Sequence, residues 1–283
     1  MTDLVHIRDV EFARRETGSL AFDVHAPRDP QAPLALALYF HGGGWMRGSR
    51  ADLVDARLAP AAGLGLAVAS VSYRLSGEAT WPAQLEDVRE ALRVVPGSVA
   101  DHGVPLSGRV AAWGVSAGGH LALMLALTAE EDGAPAPDAV VAWFPPTDLS
   151  LMSRAPKDER ARAPHFMPDL SAVPPFERRL LGLPDAAGPG DEERLRAASP
   201  IAHAHSATCP ILLIHGDEDA LVPLSHSLEL DARLRDAGAP VSTLVLRGAT
   251  HEDPAFDTPA VLGATAAHLR GDVPLGSAGH PAA

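Results

Sequence analysis

Cysteine, lysine and long hydrophobic runs are scarce or missing in this chain of 283 residues. The single cysteine, Cys209, excludes a disulfide within the chain and fits a reducing compartment. The longest apolar run, residues 121–127, is far shorter than the ~20 residues that span a bilayer, so we expect no membrane segment. The first residues lack a basic start followed by an apolar stretch, so we expect no signal peptide and a cytoplasmic location.

Positive charge is also in short supply. The chain has 23 basic and 36 acidic residues, and its net charge is −13. An acidic surface repels the phosphate backbone, so we expect no nucleic-acid partner. The same charge disfavours anionic substrates, and a small neutral or cationic substrate is the expected partner.

Short apolar segments alternate with helical patterns along most of the chain. The predicted strands are residues 34–40, 66–73, 109–115, 139–144, 211–215 and 241–246. Most are apolar on both faces, which is typical of parallel strands covered by helices on both sides. Residues 5–12 and 21–25 are expected to form an antiparallel edge. The pattern predicts an α/β fold with a mostly parallel, doubly wound sheet of about eight strands.

Three helices follow from apolar spacing. Residues 82–95 and 225–238 each carry an apolar stripe at helical intervals, and Gly238 suits a C-terminal cap. The segment after Ser116 is apolar all round, so its helix should be buried.

We expect one domain over residues 1–283, with a core of about 1–148 and 200–270. Residues 149–199 are rich in proline, arginine and acidic residues, and we interpret them as an inserted cap over the site. The alternative is a surface excursion without a role. Residues 271–283 are expected to form a frayed tail.

Ser116 lies in Gly-Val-Ser-Ala-Gly, between a predicted strand and a predicted helix. This pattern is the nucleophile elbow of α/β-hydrolases, in which small neighbours allow a tight turn that exposes the serine hydroxyl. The alternative is a phosphate-binding turn, which the missing P-loop lysine and the acidic charge disfavour.

A serine nucleophile needs donors for the oxyanion that forms on attack. The glycines of HGGGW, residues 41–45, can offer bare N–H groups, and we predict Gly43 and Gly44 with Ala117 as the third donor. His41 is expected to support this loop rather than perform chemistry. Trp45 is predicted to bind substrate as a wall of the acyl pocket, although it could instead only pack against the loop.

The acid and the base are expected after Ser116, in that order. Asp219 is the preferred acid because of its position after the strand in HGDEDALVP; the alternatives are Asp217, then Asp148. His251 is the preferred base because it follows the last predicted strand. All of these positions follow strands, whose carboxyl ends lie on one edge of a parallel sheet.

The other histidines and the cysteine are expected to play no catalytic part. His226 follows the acid but lies on a predicted helix, where we expect it to be solvated. His203 and His205 form a possible metal pair without a third ligand at suitable spacing, so we predict surface residues and no metal. Cys209 is expected to be a small buried residue beside a strand.

The chain resembles α/β-hydrolase esterases of the hormone-sensitive-lipase-related branch, and most of all the bacterial feruloyl/acetyl-esterase-like group. The resemblance covers residues 20–270 and is carried by HGGGW (41–45), VSYRLS (71–76), WPAQLEDV (81–88), GVSAGGHLA (114–122), HGDEDALVP (215–223) and GATH (248–251). It implies the α/β-hydrolase fold and a triad of Ser116, His251 and Asp219. The implied reaction is hydrolysis of carboxylic esters through an acyl-enzyme, without a metal or organic cofactor.

Trp45 and the modest insertion favour short-chain acyl esters of small molecules. An arylformamidase-like amidase is the first alternative, because residues 41–45 satisfy its pattern H-G-G-x-W. A serine peptidase and a non-catalytic binding protein of hydrolase fold are weaker alternatives. The oligomeric state is left open, with a homodimer as one option.

Overall fold

The protein is described from a computed structural model, over residues 3–131, 133–154, 175–185, 188–205, 207 and 209–272. Eight strands form one sheet in the order β1-β2-β4-β3-β5-β6-β7-β8. Their bounds are β1 Leu4–Arg15, β2 Gly18–Pro27, β3 Leu34–Phe40, β4 Leu66–Val71, β5 Leu106–Val115, β6 Val140–Trp143, β7 Ile211–Gly216 and β8 Val241–Leu246.

The sheet is parallel from β4 to β8 and antiparallel at the N-terminal edge. β2 pairs antiparallel with both β1 and β4, and every other pairing is parallel. This confirms the predicted sheet, including its antiparallel edge. The parallel strands end on one side, and the loops that follow them carry the predicted site residues.

Two hydrophobic cores lie on opposite faces of the sheet, and alternate residues of β3 contribute to each of them. Its even-numbered residues from 34 to 40 belong to one core, and its odd-numbered residues from 35 to 39 belong to the other. A strand with apolar side chains on both faces must be covered on both sides, because its side chains alternate.

The helices around the sheet are α1 (Ala59–Gly63), α2 (Ala83–Asp101), α3 (Ala117–Leu127), α4 (Leu149–Arg154), α5 (Phe176–Leu180), α6 (Asp191–Ala197), α7 (Ser225–Asp236) and α8 (Pro259–Arg270). α2, α3 and α7 pack in the first core, while α1 and α8 pack in the second. Every residue of α3 is buried, as predicted.

α2 runs six residues beyond the predicted end at Val95. Pro96 and Gly97 are a sequence signal for a helix end, yet the helix continues to Asp101. Val99 is buried one turn after Val95, so the apolar stripe continues across the proline. Burial of this extra turn offsets the hydrogen bond that proline cannot donate.

The predicted insertion is described only in part: residues 155–174, 186 and 187 of it, like residues 273–283 of the predicted tail, lie outside the described ranges. Its described parts form α4, α5 and α6. Arg178 on α5 donates to Asp191 on α6 at 2.6 Å, and Leu180 and Leu195 join the first core. No helix within the described ranges has the length and hydropathy needed to cross a membrane.

Candidate active site

Ser116 occupies a sharp turn between β5 and α3. Its backbone has φ 50° and ψ −119°, a region that costs a residue with a side chain about 1–3 kcal/mol. Two backbone hydrogen bonds hold the turn: the N–H of Ser116 donates to the carbonyl of Trp143 at 2.9 Å, and the carbonyl of Ser116 accepts from the N–H of His120 at 3.0 Å. The strained geometry is therefore fixed by the neighbouring strand and helix.

The two glycines of the elbow allow backbones to touch. A Cβ atom on Gly114 would lie 2.1 Å from the carbonyl oxygen of Gly118, and one on Gly118 would lie 2.0 Å from that of Phe40. These distances leave no room for a side chain. The start of α3 therefore lies directly against the end of β3, which brings Ser116 beside the glycine loop that follows β3.

The structure brings Ser116, His251 and Asp219 into one hydrogen-bonded chain. Ser116 Oγ lies 3.0 Å from His251 Nε2, and His251 Nδ1 lies 2.7 Å from Asp219 Oδ2. A carboxylate at Nδ1 assigns the ring proton to that nitrogen, which leaves Nε2 free to accept from the serine hydroxyl. The three predicted residues therefore have the arrangement of an activated serine.

Asp219 is buried and well supplied with donors. Its Oδ1 accepts from the backbone N–H groups of Leu221 and Val222 at 3.0 and 2.9 Å. Its Oδ2 faces His251 and also lies 3.3 Å from Nε2 of His215 on β7. Burial raises the pKa of Asp219, but the charge of His251 and the bonds from His215 and His251 outweigh it and hold that pKa below its usual range. The carboxylate is thus kept ionised.

The two alternative acids are occupied elsewhere. Asp217 accepts from the N–H of Gly248 at 2.6 Å and supports the loop after β8. Asp148 accepts from the N–H groups of Ser150 and Leu151, at the start of α4. Neither lies within hydrogen-bonding distance of His251.

The prediction that His226 is solvated is wrong. It lies in the first turn of α7, as expected, but is 2% exposed. Its Nδ1 accepts from the N–H groups of Thr147 and Asp148 at 3.2 and 3.3 Å, because α7 packs against the loop after β6. Burial lowers the pKa of His226 to about 4.

His205 lies at the surface, as predicted, whereas the side chain of His203 is only 17% exposed. The rings of His203 and His205 lie 3.2 and 3.0 Å from the carboxylate of Glu131. In the part of the chain that the structure describes, no group of three or more His, Cys, Asp or Glu side chains is suited to hold a metal ion. Cys209 is buried, and burial raises the pKa of its thiol to about 12.

The glycine loop after β3 lies over Ser116. Gly43 and Gly44 have φ values of 111° and 61°, which side chains rarely adopt. The carbonyl of Gly43 accepts from the N–H groups of Met46 and Arg47, so the loop closes on itself. Within the described ranges, no hydrogen bond uses the N–H of Gly43, Gly44 or Ala117. These three groups border the cavity beside Ser116.

His41 supports the glycine loop from beneath. Its ring stacks on Tyr73 with centroids 4.4 Å apart, and its Nδ1 donates to the carbonyl of Gly42 at 2.8 Å. The hydroxyl of Tyr73 donates to the carbonyl of His41 at 2.8 Å. Burial lowers the pKa of His41, which favours a neutral, supporting ring.

Trp45 both borders the cavity and packs in the protein interior, which were the two alternatives expected from the sequence. It borders the cavity, yet it is only 1% exposed and belongs to the first core. Its ring meets that of His120 edge-on, with centroids 5.0 Å apart. Most of the indole therefore packs, and a small part faces the cavity.

The cavity above Ser116 has a volume of about 290 Å³. Sequence reasoning missed most of its lining, which includes Tyr39, Arg47, Asp52, Leu53, Pro146, Met152, Phe176, Leu221, Val222 and Glu252. Of the lining residues that the structure describes, Met152 and Phe176 come from the predicted insertion. A Cβ atom on Gly44 would lie 2.6 Å from the ring of Phe176, so this ring rests directly on the glycine loop.

Phe144 is a further residue that the sequence did not reveal. It follows β6 with φ 38°, and its ring meets that of His251 edge-on, with centroids 4.6 Å apart. The contact restricts the rotation of the imidazole ring. No composition or spacing signal marks such a contact.

Comparisons with known proteins agree with this architecture. The BD-FAE family model matches residues 22–234. Esterase LipQ of Mycobacterium tuberculosis is 31% identical over 78% of this chain and 50% of its own length, and Esterase LipC of the same organism is 30% identical over 81% and 56%. The chain thus spans about half the length of these curated relatives.

Among solved structures, a truncated carbohydrate esterase from gut microbiota is 25% identical, with a TM-score of 0.76, over 94% of this chain and 95% of that one. The predicted α/β-hydrolase fold and the resemblance to hormone-sensitive-lipase-related esterases are therefore confirmed. The family match covers most of the sheet and both the serine and the acid loops. The chain belongs to the BD-FAE family.

Proposed function

We propose that this protein is a serine carboxylesterase that cleaves small-molecule esters through an acyl-enzyme. One observation carries the proposal: the continuous chain from Ser116 Oγ to His251 Nε2 and from His251 Nδ1 to Asp219 Oδ2, at 3.0 and 2.7 Å. A serine hydroxyl is a weak nucleophile by itself, and this arrangement supplies the base that it needs.

In the acylation step, Ser116 Oγ attacks the ester carbonyl carbon while its proton moves to His251 Nε2. The imidazolium that forms is stabilised by the ionised carboxylate of Asp219. When the tetrahedral intermediate collapses, the ester C–O bond breaks and the alcohol leaves with the proton from His251. Ser116 is left carrying the acyl group.

In the deacylation step, a water molecule takes the place of the alcohol. His251 removes a proton from the water as its oxygen attacks the acyl carbon, and then returns the proton to Ser116 Oγ. The carboxylic acid is released. Acylation and deacylation together consume one ester and one water molecule, release one alcohol and one carboxylic acid, and return Ser116 and His251 to their starting states.

The oxyanion of each tetrahedral intermediate is assigned to the N–H groups of Gly43, Gly44 and Ala117. No described residue competes for a hydrogen bond with these groups, which supports the assignment, since donors held in place before the reaction need no reorganisation. Ala117 is the first residue of α3, so the positive end of the helix also faces the oxyanion.

We propose short-chain acyl groups as the preferred substrates. The cavity of about 290 Å³ is small, and Trp45, Met152 and Phe176 give it apolar walls. The position of the latter two supports a role for residues 149–199 as a cap. Among the described lining residues, the carboxylates Asp52 and Glu252 outnumber the cation Arg47, and a neutral ester suits such a lining. The cytoplasmic location stays a prediction, and a homodimer stays one option for the oligomeric state.

A fluorophosphonate probe tests the nucleophile. Wild-type protein should gain one label per chain and hydrolyse 4-nitrophenyl butyrate, while Ser116→Ala should do neither and keep its circular dichroism spectrum. A folded wild-type protein that takes no label would favour a non-catalytic binding protein. Turnover of N-formylkynurenine above that of the ester would favour the amidase.

An acyl-chain series tests the substrate class. With 4-nitrophenyl esters from acetate to laurate, kcat/KM should peak at acetate or butyrate. Faster turnover of the longer esters would contradict the short-chain assignment while leaving the serine chemistry intact.

A further inference from the structure

Arg57 is a buried cation close to the cavity, and the proposed chemistry does not use it. It lies in a π-helical turn, Val54–Leu58, directly after the cavity residues Asp52 and Leu53. Its side chain is 1% exposed. A charge so deeply buried is retained only with close partners, because its removal from water is costly.

The first partner lies in the segment that carries His251. Arg57 makes a two-bond fork with Asp257, from Nε to Oδ1 at 2.6 Å and from Nη2 to Oδ2 at 3.1 Å. Its Nη1 also lies 3.9 Å from the carboxylate of Glu252, the residue next to His251. Arg57 thus holds the short segment after His251 at both ends.

The second partner lies before the glycine loop. Arg57 Nη1 donates to the hydroxyl of Tyr39 at 3.2 Å, and Tyr39 lies near the end of β3, two residues before His41. Tyr39 also borders the cavity. The same guanidinium therefore contacts the base of the proposed oxyanion loop.

The third partner, Trp143, is hydrogen-bonded to the backbone of Ser116. The guanidinium carbon of Arg57 lies 4.9 Å from the ring centroid of Trp143, a cation–π distance. The carbonyl of Trp143 accepts the N–H of Ser116, and the next residue, Phe144, packs on the ring of His251. One side chain therefore reaches residues that adjoin the serine, the histidine and the oxyanion loop.

We infer that Arg57 is a positioning residue, which sets the place of His251 relative to Ser116 and the glycine loop. The inference rests on the proposed triad, and Arg57 acts through Asp257, Tyr39 and Trp143 rather than by touching substrate. Only arginine provides the planar fork for Asp257 together with a remaining Nη1 donor for Tyr39.

The expected effect falls on kcat. A displacement of about 1 Å in a reacting group can slow a reaction on the order of 100-fold. Arg57→Met should therefore lower kcat for 4-nitrophenyl butyrate by about 10- to 100-fold, with KM changed by less than about threefold. Arg57→Lys keeps the charge without the fork, so its kcat should lie between those of Arg57→Met and the wild type.

The experiment must separate position from stability. Active sites are counted by intact mass after exhaustive fluorophosphonate labelling, and kcat is expressed per labelled chain at a temperature where circular dichroism shows each variant folded. A double variant, Arg57→Met with Asp257→Leu, removes the carboxylate that Arg57→Met leaves without its partner. It should regain melting temperature relative to Arg57→Met while its kcat per site stays at least about tenfold below wild type.

Arg15→Met is the matched control, because Arg15 also pairs with a buried carboxylate, that of Asp87, but at the antiparallel edge of the sheet. It should keep the wild-type kcat per site. A kcat per site within twofold of wild type in both Arg57→Met and the double variant would overturn the inference and leave the proposed function standing. A wild-type protein that is neither labelled nor active would overturn both.

Discussion

At the scale of single residues, the two neighbouring carboxylates Asp219 and Asp217 provide a sharp test of the triad. Asp219 faces His251 at 2.7 Å, whereas Asp217 faces the backbone of Gly248. Asp219→Asn removes the charge that stabilises the imidazolium and can favour the wrong tautomer of His251. We expect kcat for 4-nitrophenyl butyrate to fall about 10⁴-fold, the effect seen in serine proteases.

Asp217→Asn is the control for the same chemical change two positions earlier. It should alter kcat by less than about threefold, because residue 217 is exposed and the side-chain oxygen of asparagine can still accept from the N–H of Gly248. Steady-state kinetics of the two variants show which of the two carboxylates acts on His251. A larger loss in Asp217→Asn than in Asp219→Asn would reverse the assignment of the acid.

The proximity of Ser116, His251 and Asp219 could be predicted from the sequence because each residue follows a strand, and strand ends of a parallel sheet meet. His226 could not be predicted in the same way. Its helix pattern was correctly interpreted, but its burial depends on the loop at Thr147, which lies 79 positions earlier in the chain. Arg57 was missed for the same reason: its partner Asp257 lies 200 positions later.

At the scale of elements, the junction of β3, β5 and α3 depends on the close approach at Gly118. A methyl group there would lie 2.0 Å from a backbone oxygen, so either the strand or the helix must move. We expect Gly118→Ala to lower the free energy of unfolding by about 4 kcal/mol or more, or to prevent folding. Urea denaturation followed by circular dichroism measures the change.

Gly97→Ala is the control within a helix. A Cβ atom on Gly97 meets nothing within 4 Å, and the residue lies inside α2. Alanine should therefore leave stability unchanged or raise it by about 0.5–1 kcal/mol. Equal destabilisation by both substitutions would mean that the contact at Gly118 is not what makes this glycine necessary.

Element boundaries were less predictable than element types. The strand segments and the three helix patterns all correspond to elements in the structure, because their apolar periodicity reflects which faces are buried. The end of α2 was missed because Pro96 and Gly97 suggest a stop, whereas tertiary burial of Val99 overrides that local preference.

At the scale of the whole molecule, the free energy of unfolding should fall as the solution becomes mildly acidic. Burial lowers the pKa of His25, His120 and His226 to about 4 in each case, from an ordinary value of 6.5. Between these two values the unfolded chain binds protons that the folded chain does not. Stability is therefore highest above about pH 6.5 and falls as the pH drops toward 4, by up to about 1.4 kcal/mol per pH unit for each group.

The measurement is the free energy of unfolding in urea at several pH values from 7.5 to 4.5. His226→Gln should flatten the pH dependence by about one group's share. An unfolding free energy that stays constant from pH 7.5 to 4.5 would contradict the buried neutral histidines.

The Phe176 ring packs on Gly44, and it comes from a different part of the chain than the residues assigned to the reaction. Substitutions that alter the cavity can therefore be distinguished from substitutions that alter the reacting groups. The groups assigned to bond making and breaking sit on loops of the sheet, while the ceiling of the cavity comes from a different stretch of sequence. Replacement of that ring would change the shape of the proposed acyl pocket without changing Ser116, His251 or Asp219. The architecture can therefore acquire new selectivity without rebuilding its chemistry.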